Sequence, residues 1–262
     1  MSISVVIHTL NSGKCIRQCL ESVKDFDEIV ICDMYSSDDT LSIAEEYGAT
    51  IVMHEPCGGI PEPARPFAIR QATMDWVLVV DSDEVVQVAL KDYLYQTIAK
   101  ENSPDALYIP RKNYFMNRFM RAAFPDYQLR FFKKTAFKNW PDTVHSCPEI
   151  EGNIRKVPKK ESLAIIHIED NRIVTIISKI NQYTDRELEK RKNKRAGITE
   201  LLLQPLYRFI VAYFIKGGFR DGKEGLIHTM MHACYKFVMI AKIIERQKQY
   251  TGQSGSGKLN DQ

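Results

Sequence analysis

Asp75–Val85 reads DWVLVVDSDEV. Trp76–Val80 is an unbroken apolar run in which three of the five residues are valine, and it suits a strand buried on both faces. The run ends in Asp81, Asp83 and Glu84. Three carboxylates in four positions repel one another, and a divalent cation would neutralise them. At an extended strand end, the first and third side chains of Asp-x-Asp fall on one side, where both can reach a metal and the phosphates it holds. The plainer alternative is a solvated acidic turn, and the tripeptide alone does not separate the two.

Working outward, the same design recurs. Ser4–His8 (SVVIH), Glu28–Cys32 (EIVIC) and Thr50–Met53 read as strands, while Ile16–Val23, Thr40–Tyr47 and Ala64–Thr73 carry helical spacing. Apolar strands alternating with helices predict an α/β fold, a doubly wound and mostly parallel sheet that binds its ligand at the carboxyl ends of the strands. At that edge stand His8-Thr9-Leu10-Asn11 after the first strand and Asp33 after the second. Asp38 or Asp39 with Thr40 reads as a helix cap. Neither GxGxxG nor GxxxxGK[ST] follows a strand, which disfavours a dinucleotide site or a P-loop. Downstream, Leu90–Lys100 reads as a helix, and Ala106–Pro110, Leu129–Lys133 and Leu163–Ile168 as strands. From Ile173 the pattern is helical: Ile173, Ile176, Ile177, Ile180 and Leu188 mark a first stripe, and Leu226, Met230, Ala233, Phe237, Ile240 and Ile244 a last one.

Composition fits a folded protein of 262 residues with 44% apolar and 26% charged residues, and 13 Gly with 11 Pro exclude collagen-like repeats. Six cysteines without a CxxC pair read as reduced thiols of a cytoplasmic protein. MSISVVIHTLNSG lacks the basic region and apolar length of a signal peptide, so the chain is expected to open directly on its first strand. Charge is divided: residues 1–105 hold 7 Lys/Arg against 18 Asp/Glu, and residues 106–262 hold 29 against 15. The acidic part suits a cation or metal-bound ligand, and the basic part an anionic molecule or membrane surface, unless surface charge simply partitioned unevenly.

SVVIHTLNS (4–12), DEIVICDMYSSDDT (27–40) and DWVLVVDSDE (75–84), in this order and spacing, resemble the nucleotide-binding half of family 2 glycosyltransferases with the GT-A fold. PDYQLRFFKK (125–134), TVH (143–145), RFIVAYFIKGGFRDGKEGL (208–226) and AKIIE (241–245) resemble the bacterial branch that includes lipopolysaccharide-core glucosyltransferases. The resemblance implies that Thr9 and Asp33 contact the nucleoside, Asp33 at the base, and that Arg65 approaches the diphosphate. Asp81 would lie near the ribose or metal, and Asp83 would ligate Mg²⁺ or Mn²⁺. His145 or His167 would complete the metal and phosphate site, a buried hydrogen-bonded imidazole being the alternative for either. Arg130 would stand near the acceptor or diphosphate. The implied activity is inverting transfer of a sugar, glucose first, from a UDP-sugar to a hydroxyl of a bacterial surface glycan or lipid-linked saccharide such as lipopolysaccharide core. A carboxylate must take the acceptor proton, and Asp126 comes first, with Asp142 and Glu149 behind it. Relatives often carry Glu where Ser146 stands and a polar residue where Pro66 stands.

The chain is expected to divide into a GT-A-like catalytic domain over 1–170, a helical region over 171–250 and a disordered tail over 251–262. Leu201–Phe219 is interrupted by Gln204, Pro205, Arg208 and Lys216, so it fits an interfacial helix better than a spanning one, or else a helical hairpin packed on protein. KRKNKR (190–195) would attract anionic lipid, placing the protein peripherally on the inner face of the cytoplasmic membrane. RKNYFMNRFMRAAF (111–124) interleaves basic and aromatic residues and is read as an acceptor-binding loop, with no nucleic-acid partner. Two rivals stand beside this reading. One is a sugar nucleotidyltransferase, for which TLNSGKC (9–15) is a poor match; the other is a non-catalytic glycan- or membrane-binding family member, kept open by Ser146 and Pro66.

Overall fold

A computed structural model describes residues 1–57, 61–142, 146–168, 172–191 and 194–255. In chain order its strands are β1 (Ile3–Thr9), β2 (Glu28–Asp33), β3 (Thr50–Met53), β4 (Trp76–Asp81), β5 (Glu84–Val86), β6 (Ala106–Phe115), β7 (Arg118–Phe119), β8 (Asp126–Lys133), β9 (Phe137–Asn139), β10 (Glu149–Ile150), β11 (Ile154–Lys156) and β12 (Ile165–His167). The helices are α1 (Ile16–Val23), α2 (Thr40–Glu46), α3 (Arg65–Gln71), α4 (Val88–Ile98), α5 (Ile173–Lys190), α6 (Ile198–Ile210) and α7 (Gly222–Gly255). The chain forms two compact units: residues 1–113 with 124–169, and residues 114–123 with 170–262.

The main sheet of the first unit runs β3-β2-β1-β4-β8-β6-β12-β5, with β11 and β7 attached to β6. From β3 to β4 every pairing is parallel, β1 lying between β2 and β4. Beyond β4 the sheet is mixed: β8 is antiparallel to β4 and β6, whereas β12 is parallel to β6 and antiparallel to β5. β9 and β10 pair apart as a second small sheet.

The apolar runs are continuous because the sheet is covered on both faces. Val5, Ile7, Ile31, Leu78 and Val80 point into one core with α1, α2 and α4, represented by Leu20, Ile43 and Leu90. The residues between them, Val6, Val30, Val77 and Val79, point into the other with Ala68 and Ile69 of α3. Each fully buried Leu or Val contributes about 1.5–3 kcal/mol relative to exposure. Trp76 stacks on Phe131 of β8 with ring centroids 4.8 Å apart, which joins the parallel strands to the mixed ones. Pro66 stands in the first turn of α3, where its missing N–H has no helical partner to lose.

In the second unit, α5, α6 and α7 pack with the tip of the β6–β7 hairpin. Met116 and Asn117 at that tip both have positive φ, as a two-residue hairpin turn of matching twist requires. Asp221 is fully buried and accepts the backbone N–H groups of Arg121 and Ala122, each at 3.1 Å. Burial along α7 falls on Gly225, Thr229, Ala233, Met239, Ile240 and Ile243, so Ala233 and Ile240 of the expected stripe are buried, whereas Leu226, Met230 and Phe237 are exposed. Near the start of α7 the stripe read from the sequence lies beside the true one because glycine and threonine, not large apolar residues, make the closest approach there. α7 continues to Gly255, where a tail is expected from residue 251, and residues 256–262 lie outside those described.

α6 and the π-turn after it, Val211–Ile215, present an apolar outer face. Ile198, Leu202, Leu206, Ile210 and Phe214 follow one another at four-residue intervals and all are exposed. Ile198–Ile215 is long and apolar enough, by length and composition, to cross a membrane, and none of that window is buried.

Candidate active site

The parallel strands end at one edge, and the expected residues gather there. Thr9 ends β1 directly opposite Asp33, which ends β2. Thr9 Oγ1 donates to Asp33 Oδ1 at 2.7 Å, and the Ser36 amide and hydroxyl donate to Asp33 Oδ2 and Oδ1 at 2.7 and 2.6 Å. Asp33 is thus a buried carboxylate held by its neighbours at the carboxyl edge.

Asp81 and Asp83 do not share one extended strand. β4 stops at Asp81, the chain turns through Ser82 and Asp83, and β5 begins at Glu84. The two carboxylates therefore have different surroundings, a correction to the same-side geometry expected from Asp-x-Asp. Asp81 accepts from Arg65 Nη2 at 2.9 Å and from Arg130 Nη1 and Nη2 at 3.2 and 2.5 Å. Burial raises the Asp81 carboxyl, but the Arg130 and Arg65 charges outweigh it and hold the group well below the usual range. Burial pulls Arg65 down against the pull of Asp81, whereas Arg130 is pushed up by Asp81 and Glu84 despite burial. Arg65 also lies over the Trp140 ring, 4.6 Å from its centroid, with its Nε and Nη1 unbonded.

His8, 5% exposed, is beside this cluster and makes no hydrogen bond at either ring nitrogen. Burial first, and the Arg65 charge second, lower its pKa to about 3, so the ring is neutral. Glu84, 1% exposed, accepts the Asp81 amide at 2.9 Å and Arg111 Nη1 at 3.3 Å. Burial and the Asp81 charge raise its pKa.

Asp83 faces His167 on β12, with His167 Nε2 and Asp83 Oδ2 3.3 Å apart. Strand pairing sets this distance, since β12 runs against β5 with His167 opposite Glu84 and the Ile168 amide bonded to the Asp83 carbonyl. Burial lowers the His167 pKa, but hydrogen bonding to Asp83 and its charge overcome this and raise it. Two ligands at adjacent corners of an octahedral Mg²⁺ with bonds near 2.0–2.1 Å stand about 3 Å apart, so the pair fits one small divalent cation. Among the described residues no group of three or more His, Cys, Asp and Glu could hold a metal. A cation here would take its remaining ligands from phosphate and water, as Mg²⁺ commonly does. His145 lies outside the described residues.

Asp126 opens β8, and both its oxygens are occupied. Oδ2 accepts Arg111 Nε and Nη2 at 3.0 and 2.8 Å and Asn113 Nδ2 at 2.9 Å, and Oδ1 accepts Gln128 at 3.0 Å. Burial raises its pKa, but the Asn113 and Arg111 interactions prevail and lower it. That environment suits a fixed counter-ion. Asp142 and Glu149 are both exposed.

A family model described as glycosyl transferase family 2 matches residues 4–157, more than half of the chain. The chain belongs to this family. A glycosyltransferase of Rickettsia felis is 28% identical over 255 residues, covering 93% of this chain and 89% of the relative. The lipopolysaccharide core biosynthesis glycosyltransferase LpsC of Rhizobium meliloti is 27% identical over 263 residues, covering 94% and 93%. Among solved structures, S. aureus TarS 1–349 superposes with a TM-score of 0.51 at 18% identity, covering 95% of this chain and 92% of that one, and shares its fold. The match ends the nucleotidyltransferase alternative, and the α/β reading with a helical C-terminal extension stands as the GT-A fold.

In this glycosyltransferase the sequence reading placed His8 and Glu84 at strand ends without giving either its own role, took Arg111 and Asn113 only as part of a loop, and missed Trp140. The i, i+2 rule would have found two of them: Arg111 and Asn113 share one face of β6, which runs five residues past its expected end at Pro110. The expected acceptor-binding loop thus begins as strand, with Arg111 and Asn113 in the first unit and residues 114–123 in the second. The surroundings of His8 and Trp140 and the Glu84–Arg111 pair are long-range and leave no local pattern.

Proposed function

We propose that this family 2 enzyme transfers a sugar, with inversion, from a nucleoside diphosphate donor to a hydroxyl of a lipopolysaccharide-core or other lipid-linked saccharide. The observation that carries the reading is the pairing of Asp83 with His167 beside Arg65 and Arg130 at the carboxyl edge of the sheet. When bound, a Mg²⁺ or Mn²⁺ at Asp83 and His167 would offset charge growing on the departing diphosphate. Arg65 and Arg130 supply fixed positive charge for the same diphosphate, held together by their shared hold on Asp81. Thr9 and Asp33 stand where the nucleoside would lie, with Asp33 directed to the base. TarS has been crystallised with UDP, and a UDP-sugar is the donor proposed here. Asp142 and Glu149, exposed and, among the described residues, without a fixed cation partner such as Arg111, carry the proposal for the base; the similarity to LpsC supports a core saccharide as acceptor.

The decisive experiment is UDP release from a panel of UDP-sugars with purified protein, with and without Mn²⁺. Wild type should turn over one donor only with metal. Asp83→Ala should lose at least about 100-fold of that activity while its thermal unfolding is unchanged, since metal-site losses are of this order or larger. Full activity in the variant would remove the metal role.

The outer face of α6 supports the second part of the proposal, a cytoplasmic enzyme held peripherally at the inner membrane surface. Arg208 and Lys216 are exposed along the same helix and can snorkel toward headgroups. The window of 18 residues reaches about 27 Å, near the lower limit for crossing a roughly 30 Å hydrocarbon core, and it carries Arg208 inside it. Lying in the interface satisfies both facts.

A further inference from the structure

A cation interrupts the packing stripe of α7. Gly225, Thr229, His232, Lys236, Ile240 and Ile243 follow at three- and four-residue intervals, as residues of one helix face do, and all but His232 and Lys236 are buried. Lys236 is half-buried. Among the described residues, neither it nor Arg208, in the last turn of α6, has a hydrogen bond or an ion pair through its side chain. Cations further along α7 are engaged: Lys242 Nζ reaches Asn181 Oδ1 at 2.8 Å and Asp185 at 2.6 Å, and Arg246 donates to the carbonyls of Leu188 and Arg191 at 2.9 and 2.8 Å. We infer that Arg208, His232 and Lys236, on the seam of α6 and α7, form a binding site for a phosphate monoester carried on a lipid. The lipid source rests on the interfacial reading of α6 above; the phosphate site does not.

The surroundings of the seam are cationic. α6 packs along α7, and Arg208 acts on both His232 and Lys236. Burial, then the charges of Lys194, Arg191 and Arg208, lower the Lys236 pKa against the pull of Glu187. Loss of water around the ring, then Arg208 and Lys216, lower that of His232. Glu187 is itself engaged by Arg191 and by the Tyr235 hydroxyl. The flanking cations are held in place. Arg246 donates to the Arg191 and Lys194 carbonyls, and Gln247 exchanges two hydrogen bonds with the Ala196 backbone, which ties this stretch to α7. Like charges crowded in this way repel one another, and an anion among them removes the repulsion.

A phosphate monoester suits these donors. It carries a charge of about −1.5 to −2 at neutral pH and three outer oxygens that accept from several directions. Arg208 offers a fork of N–H groups, Lys236 an ammonium and His232 a ring N–H. The position of Arg208 selects the lipid source. It stands between Leu206 and Ile210 of the exposed apolar stripe, so a phosphate it holds lies within about one helical turn, roughly 5.4 Å, of side chains suited to acyl chains. Phosphate and acyl chain are neighbours in the same way at the surface of a bilayer. A soluble phosphate would meet the same donors and leave the stripe bare.

The test uses the full chain and two probes. Phosphatidylcholine vesicles carry either phosphatidic acid, a monoester, or phosphatidylglycerol, a diester, matched in zeta potential so that surface charge alone cannot separate them. Wild type should bind the phosphatidic acid vesicles at least about tenfold more tightly, the worth of one charge-assisted hydrogen bond. Arg208→Gln with Lys236→Gln should make the two affinities equal. Glycerol 3-phosphate, the monoester without its lipid, should raise the circular dichroism melting temperature of wild type above that in chloride of equal ionic strength, and leave the variant unmoved. Arg208 is exposed, so Arg208→Gln alone carries the same comparison where the double variant fails to fold. Equal affinity of wild type for both vesicles overturns the inference, and so does a preference that survives in the variant. If glycerol 3-phosphate stabilises wild type and not the variant while neither vesicle is bound, the interfacial reading falls and the phosphate site stands.

Discussion

At the scale of single residues, the site is a problem of charge placed where water is scarce. Arg65, Arg130, Asp81 and Glu84 crowd one region, and Asp81 keeps the two guanidiniums from repelling each other. His8 sits beside them as a ring that cannot take a proton. This has a testable consequence in pH. The unfolded ring binds its proton near pH 6.5, whereas the folded ring waits until about 3. Above pH 6.5 His8 contributes no pH dependence. Below it the unfolded state gains a proton that the native state refuses, so stability falls by about 1.4 kcal/mol per pH unit until the pH passes through the folded pKa. Both tryptophans, Trp76 and Trp140, lie in the first unit, so their fluorescence during urea unfolding reports on that unit alone. His8→Leu should remove about 2 kcal/mol of the stability lost on going from neutral pH to pH 5. An identical pH slope in wild type and variant would show that His8 is protonated in the folded state. The acidic residues of this site were visible in DSDE, but their partition was not. The turn after Asp81 breaks the alternation that would place Asp83 beside it, and only the long-range partners Arg65, Arg130 and His167 show that the two carboxylates do different work.

At the scale of elements, β1, β2 and β4 were legible because buried parallel strands carry their signal in every residue, whereas the two- and three-residue strands β5, β9, β10 and β11 were not read. Helices α1 and α2 were legible by spacing. The first turns of α7 were read one position off, and the reason is steric. A Cβ on Gly225 would lie 2.1 Å from the Gly218 carbonyl oxygen and 2.8 Å from Asp221 Cβ. The closest approach in the second unit is thus backbone against backbone, and the residues that mark it are small. Gly217, with φ of +81°, lets the chain leave the π-turn and enter this contact. Asp221 lies in the same turn and holds the Arg121–Ala122 backbone, so the GGFRDGKEG segment ties the hairpin tip to α7. Gly225→Ala should therefore cost at least about 1–3 kcal/mol, the range for overpacking a tight contact, although alanine favours helices. Circular dichroism melting checks this. A rise in melting temperature would mean that the helix can draw away from Gly218 at little cost.

At the scale of the molecule, charge and apolar surface are sorted between the two units. The first carries 17 Lys/Arg and 24 Asp/Glu, the second 19 and 9. The division by unit is milder than the one at residue 105 in the sequence, because the basic residues between Arg130 and Lys160 count with the first unit. The same basic unit holds the exposed stripe of α6, with Ile198 and Ile215 72% and 74% exposed. An apolar face that stays bare in an otherwise basic unit matches an anionic lipid surface: the side chains provide burial, and Arg191, Lys194 and Arg195 just before α6 provide attraction of about 1 kcal/mol each near the membrane. Wild-type protein should sediment with vesicles containing anionic phosphatidylglycerol, more weakly with neutral phosphatidylcholine, and less as salt is raised. Leu202→Glu with Leu206→Glu should reduce that binding at least tenfold while the circular dichroism spectrum and melting are unchanged, because both side chains are exposed in the fold. Self-association of wild type that the double variant abolishes, with no vesicle binding by either, would assign the stripe to a second copy of the chain. Retained vesicle binding by the double variant would move the lipid contact away from α6, to the basic segment before it.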